Sequence, residues 1–110
     1  MLDIEIEGLE LLLSAIRHPA FDGNPLARQL FIGCSQEWAA RQAGKVAEIE
    51  PLAYEMVTDE EIKIVAGLMY GLSQCEELRR YWQTLALCVA ILKLLTDELE
   101  ARSAIGQAIH

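Results

Sequence analysis

The sequence predicts an all-α fold: a four- to five-helix bundle with a long C-terminal helix, assembled as a dimer. Three observations predict it. Apolar residues recur at spacings of three and four along the 110 residues, and alternating β-branched runs are missing. Helix start and stop signals punctuate the chain at His18-Pro19, Asn24-Pro25, Gly44 and Thr58-Asp59-Glu60-Glu61. A heptad rhythm runs through the last third.

The first helix is expected from Asp3 to Arg17. Ile6, Leu9, Leu13 and Ile16 share one face, and Leu12 widens it. Asp3 is the expected N-cap, and Glu5 and Glu7 suit the positive end of the helix dipole. His18-Pro19 stops the helix, because a residue before proline is pushed out of the α region. Pro19 to Asn24 reads as a loop. Asn24 then caps a second helix with Pro25 at its first position. Leu26, Leu30, Cys34 and Trp38 recur every fourth residue with Ala27 and Phe31 beside them, and Gly44 is a natural end.

A third helical stretch is expected from Lys45 to Val57, with Val46, Ile49, Ala53 and Met56 facing one way. Pro51 lies inside it and removes a backbone donor, so either one helix kinks there or a turn precedes a new helix. Thr58 and Glu61 have capping-box spacing and open a fourth helix. That helix places Ile62, Val65, Ala66, Met69 and Leu72 on one face and Ile64 and Leu68 on the other, which predicts burial nearly all round. Gly67 and Gly71 share a stripe, which reads as close packing against a neighbouring helix.

Ser73 and Glu76 repeat the capping-box spacing and predict that the last helix opens at Gln74. Leu78, Tyr81, Leu85, Cys88, Leu92, Leu95 and Leu99 then follow the a/d rhythm. A helix from Gln74 to Arg102 would be ~44 Å long, longer than the ~35 Å diameter of a compact domain of this size. It should overhang its own domain or pack on a second copy. Leu85 to Leu92 is apolar on every face, so the segment is either central in the bundle or shared with a partner. A homodimer through this helix is the expectation.

The length allows one domain, residues 1–110. With 53% hydrophobic residues, the chain has ample material for a core. No apolar run reaches the ~18 residues that span a bilayer, and the Met1-Leu2-Asp3 start shows no basic secretory n-region. Three cysteines, Cys34, Cys75 and Cys88, are odd in number and lack CxxC spacing. Lying on or beside apolar stripes, they read as reduced thiols in a cytoplasmic setting.

The net charge of −8 argues against a protein whose main task is holding phosphate backbones. Glu48, Glu50, Glu55, Asp59, Glu60 and Glu61 form an acidic block without a base among them. It reads as a solvated helix junction or as a patch for a basic partner surface.

Catalytic handles are few. His18 and His110 lie apart from carboxylates at ligand spacing, and HExxH, P-loop, GxGxxG and GxSxG patterns are missing. Cys34 with His18 is conceivable as a nucleophile pair, but the cysteine sits on an apolar stripe without an activating group. The sequence therefore predicts neither an enzyme nor a cofactor or metal site.

Gly67 to Ser73 resembles the turn of a helix-turn-helix, and Arg79 and Arg80 on the next helix could reach DNA. The apolar positions fall one residue late, with Glu77 and Arg80 where buried residues belong. DNA binding is the alternative reading. The leading one is a small regulator that binds another protein as an inhibitor, anti-activator or chaperone/adaptor, through a basic or apolar helical surface on that partner. Trp82, Tyr81, Leu85, Leu92, Phe31 and Trp38 are the candidate contact residues, with Trp82 foremost because it lies beside the heptad seam.

Overall fold

A computed structural model describes residues 2–44 and 52–109, with side chains over residues 6–44 and 52–105. Helix α1 spans Leu2–Ile16 and α2 spans Pro25–Gln42, with a 3₁₀ turn at Pro19–Phe21 between them. Helix α3 spans Asp59–Ser73, a second 3₁₀ turn covers Glu77–Arg80, and α4 spans Trp82–Ile109. Among the described residues there is no strand. The tightest pairings are α3 with α4 and α1 with α2, and contacts of α1 with α4 and α2 with α3 close the ring. Leu9, Leu12, Ile16, Leu26, Leu30, Ile62, Val65, Met69, Leu78, Cys88 and Leu95 fill the centre.

Local chemistry explains the boundaries. The Asn24 carboxamide oxygen accepts from the Leu26 and Ala27 amides at 3.0 and 3.2 Å, which caps α2. Its Nδ2 donates to the Glu61 carbonyl at 3.1 Å and so ties the start of α2 to the first turn of α3. The Thr58 capping box forms: Glu61 N donates to Thr58 Oγ1 at 3.2 Å and Thr58 N to Glu61 Oε1 at 2.9 Å. Gly44 has φ +70°, the left-handed conformation that follows a helix end. Helix α1 begins at Leu2, ahead of the expected Asp3 cap.

Four expectations are corrected. First, Leu52 to Val57 are not helical. Lys45 to Pro51, and with them the choice of kink or break, lie outside the described residues. The visible part is a strap held by side chains that take over its backbone hydrogen bonds. Gln29 exchanges two 2.8 Å bonds with the Ala53 amide and carbonyl. The Arg102 guanidinium donates to the Val57 and Tyr54 carbonyls at 2.8 and 2.9 Å and pairs with Asp59 at 2.7 Å. Val57 drops into the core, while Met56 is exposed.

Second, the long helix opens at Trp82 rather than at Gln74. Gln74 is the C-cap of α3, and the Ser73 hydroxyl donates back to the Tyr70 carbonyl at 2.6 Å instead of capping a new helix. Third, α3 is buried on one face only: Ile64 and Tyr70 are 47% and 60% exposed.

Fourth, Gly67 and Gly71 face open space, so they are not close-packing glycines. Gly8 takes that role. A Cβ there would stand 2.5 Å from Thr84 Oγ1 and 2.7 Å from Tyr81 Cβ, so α1 and α4 touch at a position that only glycine fits.

The molecule measures 52 × 28 × 24 Å. Beyond Arg102, which is still partly covered, Ser103, Ala104 and Ile105 are exposed, so the end of α4 projects past the body as its length implied.

The glycines give a paired test by chemical denaturation. Gly8→Ala is expected to destabilise the fold by ~1–3 kcal/mol through overpacking, despite alanine's better helix propensity. Gly67→Ala and Gly71→Ala are each expected to stabilise it by ~0.5–1 kcal/mol. The reverse order would place the helix crossing elsewhere.

Candidate functional site

Two anchors fix how α4 is rotated about its axis. Near its start, Tyr81 and Thr84 are pressed against Gly8, and the Tyr81 hydroxyl donates to Glu7 Oε2 at 2.9 Å. That bond, with burial second, raises the Tyr81 pKa above the usual phenol value. Near its end, Arg102 grips the strap and also meets Glu98 at 3.6 Å. Between these anchors the heptad seam turns inward. Cys88, Ile91 and Leu95 are buried, and Leu85, Leu92 and Leu99 pack half-buried against them.

The opposite side of α4 is left bare. Trp82 is 67% exposed, Val89 50%, Leu94 52% and Ile105 63%. Ala86, Ala90, Ala101 and Ala104 are exposed between them. Lys93 and Asp97 lie in the middle of this strip as a loose ion pair at 3.7 Å. Trp82, Ala86, Val89 and Lys93 follow one another at spacings of four, three and four, so the strip is a second seam behind the first. Val89, Leu94 and Ile105 were not singled out from sequence. Val89 belongs to that second run, which the longer leucine seam hides; Leu94 and Ile105 lie on its flank, outside the run.

The six candidate contact residues are not brought together. Trp82 stands on the outer strip. Tyr81 is buried beneath it, and Leu85 and Leu92 belong to the inward seam. Phe31 is half-buried, with the Arg17 guanidinium 6.0 Å over its ring. Trp38 is half-buried at the α1–α2 contact, where its Nε1 donates to Glu10 at 3.2 Å. Arg79 and Arg80 are exposed, but on the 3₁₀ turn rather than on a helix following a tight corner. Helix-turn-helix geometry, which lays the second helix in the groove, is therefore not formed.

An open cleft of about 410 Å³ lies between the end of α1 and the start of α2, lined by Arg17, Phe21, Asp22, Asn24, Arg28 and Phe31 among others. Asn24 is occupied by capping, and Arg17 by Phe31. Among the described residues no group of three His, Cys, Asp or Glu side chains could hold a metal ion. His18 is exposed, and its Nδ1 accepts from the Ala20 amide. Burial, with smaller contributions from Cys88 and Glu37, pushes the Cys34 thiol up to about 11; burial does the same to Cys88. Neither is a ready thiolate near neutral pH. Of the acidic block, Glu55, Asp59 and Glu60 are exposed; Glu48 and Glu50 lie outside the described residues. No helix among the described residues is long and apolar enough to cross a membrane.

Comparison with known proteins finds no matching family, no matching curated protein and no matching solved structure.

The raised thiols set a pH dependence. Their folded pKa exceeds the unfolded value of 9.0, so their contribution to stability is full below that pH. It is lost as pH rises through about 11, because the unfolded chain gives up those protons first. Denaturant midpoints should therefore be level below the lower value and fall above it, and less so in a Cys34→Ala, Cys88→Ala protein. A midpoint that rises across this window would contradict the assignment.

Proposed function

We propose that this chain is a small cytoplasmic regulator that binds another protein, as an inhibitor, anti-activator or chaperone/adaptor. It works through helix-to-helix contact and as a homodimer. The observation that carries this reading is the bare apolar strip along α4, with Trp82 at its head. Isolated exposed apolar residues are ordinary, but a row of them along one helix, interleaved with alanines, is the form of a docking face. An exposed tryptophan is the side chain most enriched among residues that dominate binding energy. Tyr70 on α3 is exposed near the same helix junction and offers a second aromatic anchor.

Other features support the same reading. Cys34, Cys75 and Cys88 are all free, as suits a reducing compartment. The cleft gathers no base and nucleophile pair, and the buried thiols are held protonated. The acidic surface favours a partner whose contact rim is basic.

Affinity purification of the tagged chain from its native host tests the proposal. A single protein in fixed ratio is expected. Trp82→Ala should weaken its capture by ~30-fold or more, the cost of truncating a central anchor, while circular dichroism stays unchanged. Recovery of nucleic acid alone at low salt, abolished by Arg79→Ala with Arg80→Ala, would overturn it in favour of DNA binding.

A further inference from the structure

We infer that the outer strip of α4 pairs with the same strip of a second copy in antiparallel orientation, with a two-fold axis at the level of residue 95. This rests on the helix-mediated, dimeric reading above and assigns the Ala86–Ala104 part of the strip to the dimer, leaving Trp82 at its head for the other protein. The occupant follows from the order of residues on the strip. An antiparallel partner centred at 95 brings Lys93 of one copy opposite Asp97 of the other, twice by symmetry. Both side chains are largely exposed and held only by the loose 3.7 Å contact within their own helix, so each is free to turn to the partner. The same register sets Ala86 against Ala104 and Val89 against Ala101. Small residues then face one another along the strip and let two helices approach closely. Leu94 of the two copies flanks the axis, and Ile105 of one copy lies level with the half-buried Leu85 of the other.

The parallel alternative is disfavoured by charge. In register, it stacks Lys93 on Lys93, Asp97 on Asp97 and Glu100 on Glu100. It also brings the two acidic strap corners to the same height. Those corners are tied to α4 by the 2.7 Å Arg102–Asp59 pair. In the antiparallel pair Arg102 lies level with residue 88 of the other copy. That separates the corners by ~21 Å along the axis at ~1.5 Å per residue, more than two Debye lengths of ~8 Å at physiological salt. For a chain of charge −8, that separation matters. The Lys93–Asp97 pairing is thus self-complementary, as a two-fold interface requires, while the exposed Glu100 is set against Ala90 of the other copy. The seam read from the heptads, Leu85 to Leu99, packs inside the protomer and is not the surface used.

Sedimentation equilibrium and cysteine cross-linking test the inference on the full-length protein, with circular dichroism confirming that each exposed-site variant folds. The wild type should be a dimer. Lys93→Glu alone and Asp97→Lys alone should each weaken association tenfold or more at low salt, and the two together should restore it. A parallel pair would not be restored, because the double variant still stacks like on like. In a Cys75→Ala background, where the remaining thiols Cys34 and Cys88 are buried, a mixture of Ala86→Cys and Ala104→Cys proteins should join through a short bismaleimide, while Ala86→Cys alone should not. Efficient self-linking of Ala86→Cys would overturn the antiparallel geometry. A dimer indifferent to the α4 substitutions would overturn the surface. A wild type that stays monomeric would overturn the inference altogether. Capture of a protein partner by such a monomer, lost in Trp82→Ala, would leave the binding role above standing.

Discussion

The rotation of α4 about its own axis is the constraint on which the rest of the molecule depends. A long helix with apolar residues on every side has no intrinsic inside. Here the inside is chosen at two points. At Gly8 the absence of a side chain lets α1 sit directly on Tyr81 and Thr84. Three to four turns beyond the middle of the seam, Arg102 hands its donors to carbonyls of the strap. Once these are set, Cys88, Ile91 and Leu95 point to the core, and Trp82, Val89 and Leu94 point away from it. The first anchor has a cost: the Thr84 hydroxyl is buried with no hydrogen-bond partner in the structure. A buried unmade bond costs ~1–3 kcal/mol, so the crossing is held by packing and by the Tyr81–Glu7 bond rather than by that hydroxyl.

The parts of the fold legible in the sequence are those governed by neighbours in the chain. Asn24-Pro25, Thr58 with Glu61, His18-Pro19 and Gly44 act within four residues of themselves, and each marks a helix end in the structure. The periodicities of α1 and α3 identify Leu9, Leu12 and Ile16, and Ile62, Val65 and Met69, because a 3.6-residue repeat specifies one face. Ser73 with Glu76 has the same local spacing as a cap, yet the structure uses it at the end of a helix. Leu78 and Tyr81 keep the a/d phase by coincidence. The 3₁₀ turn delivers both into the same core that the helix would have reached, so the apolar pattern carries no trace of the break.

The remainder was illegible because it depends on contacts between distant segments. Met56 fits the helical period of its neighbours, but Gln29 and Arg102 satisfy much of the backbone of that segment from two other helices and leave it a non-helical strap with a turn at Glu55-Met56. Spacing alone cannot say which glycines meet another helix. Gly67 and Gly71 have the pattern of a packing stripe and face outward, while Gly8 has no pattern and makes the closest approach. At the candidate surface, Trp82 was legible as an outlier to the leucine seam. The alternation of alanines with Val89 and Leu94 became meaningful only when the anchors showed which side of α4 faces out.

These facts also account for the composition. A ring of four helices this small has little interior, and a chain that is 53% hydrophobic must leave some of that material outside. Where it is left is not random. On α4 it collects opposite the core seam, broken by Lys93, Asp97 and Glu100. On α3 it is diluted by two glycines and a lysine. A strip that interleaves alanines with Trp82 and Val89 and carries Lys93, Asp97 and Glu100 does not attract every hydrophobic surface equally. Under the antiparallel pairing proposed above, Lys93 and Asp97 meet their opposites, which a parallel pair denies them. In that proposed pairing the acidic corners at the strap also lie apart, so charge would favour the orientation that the apolar contacts alone leave open.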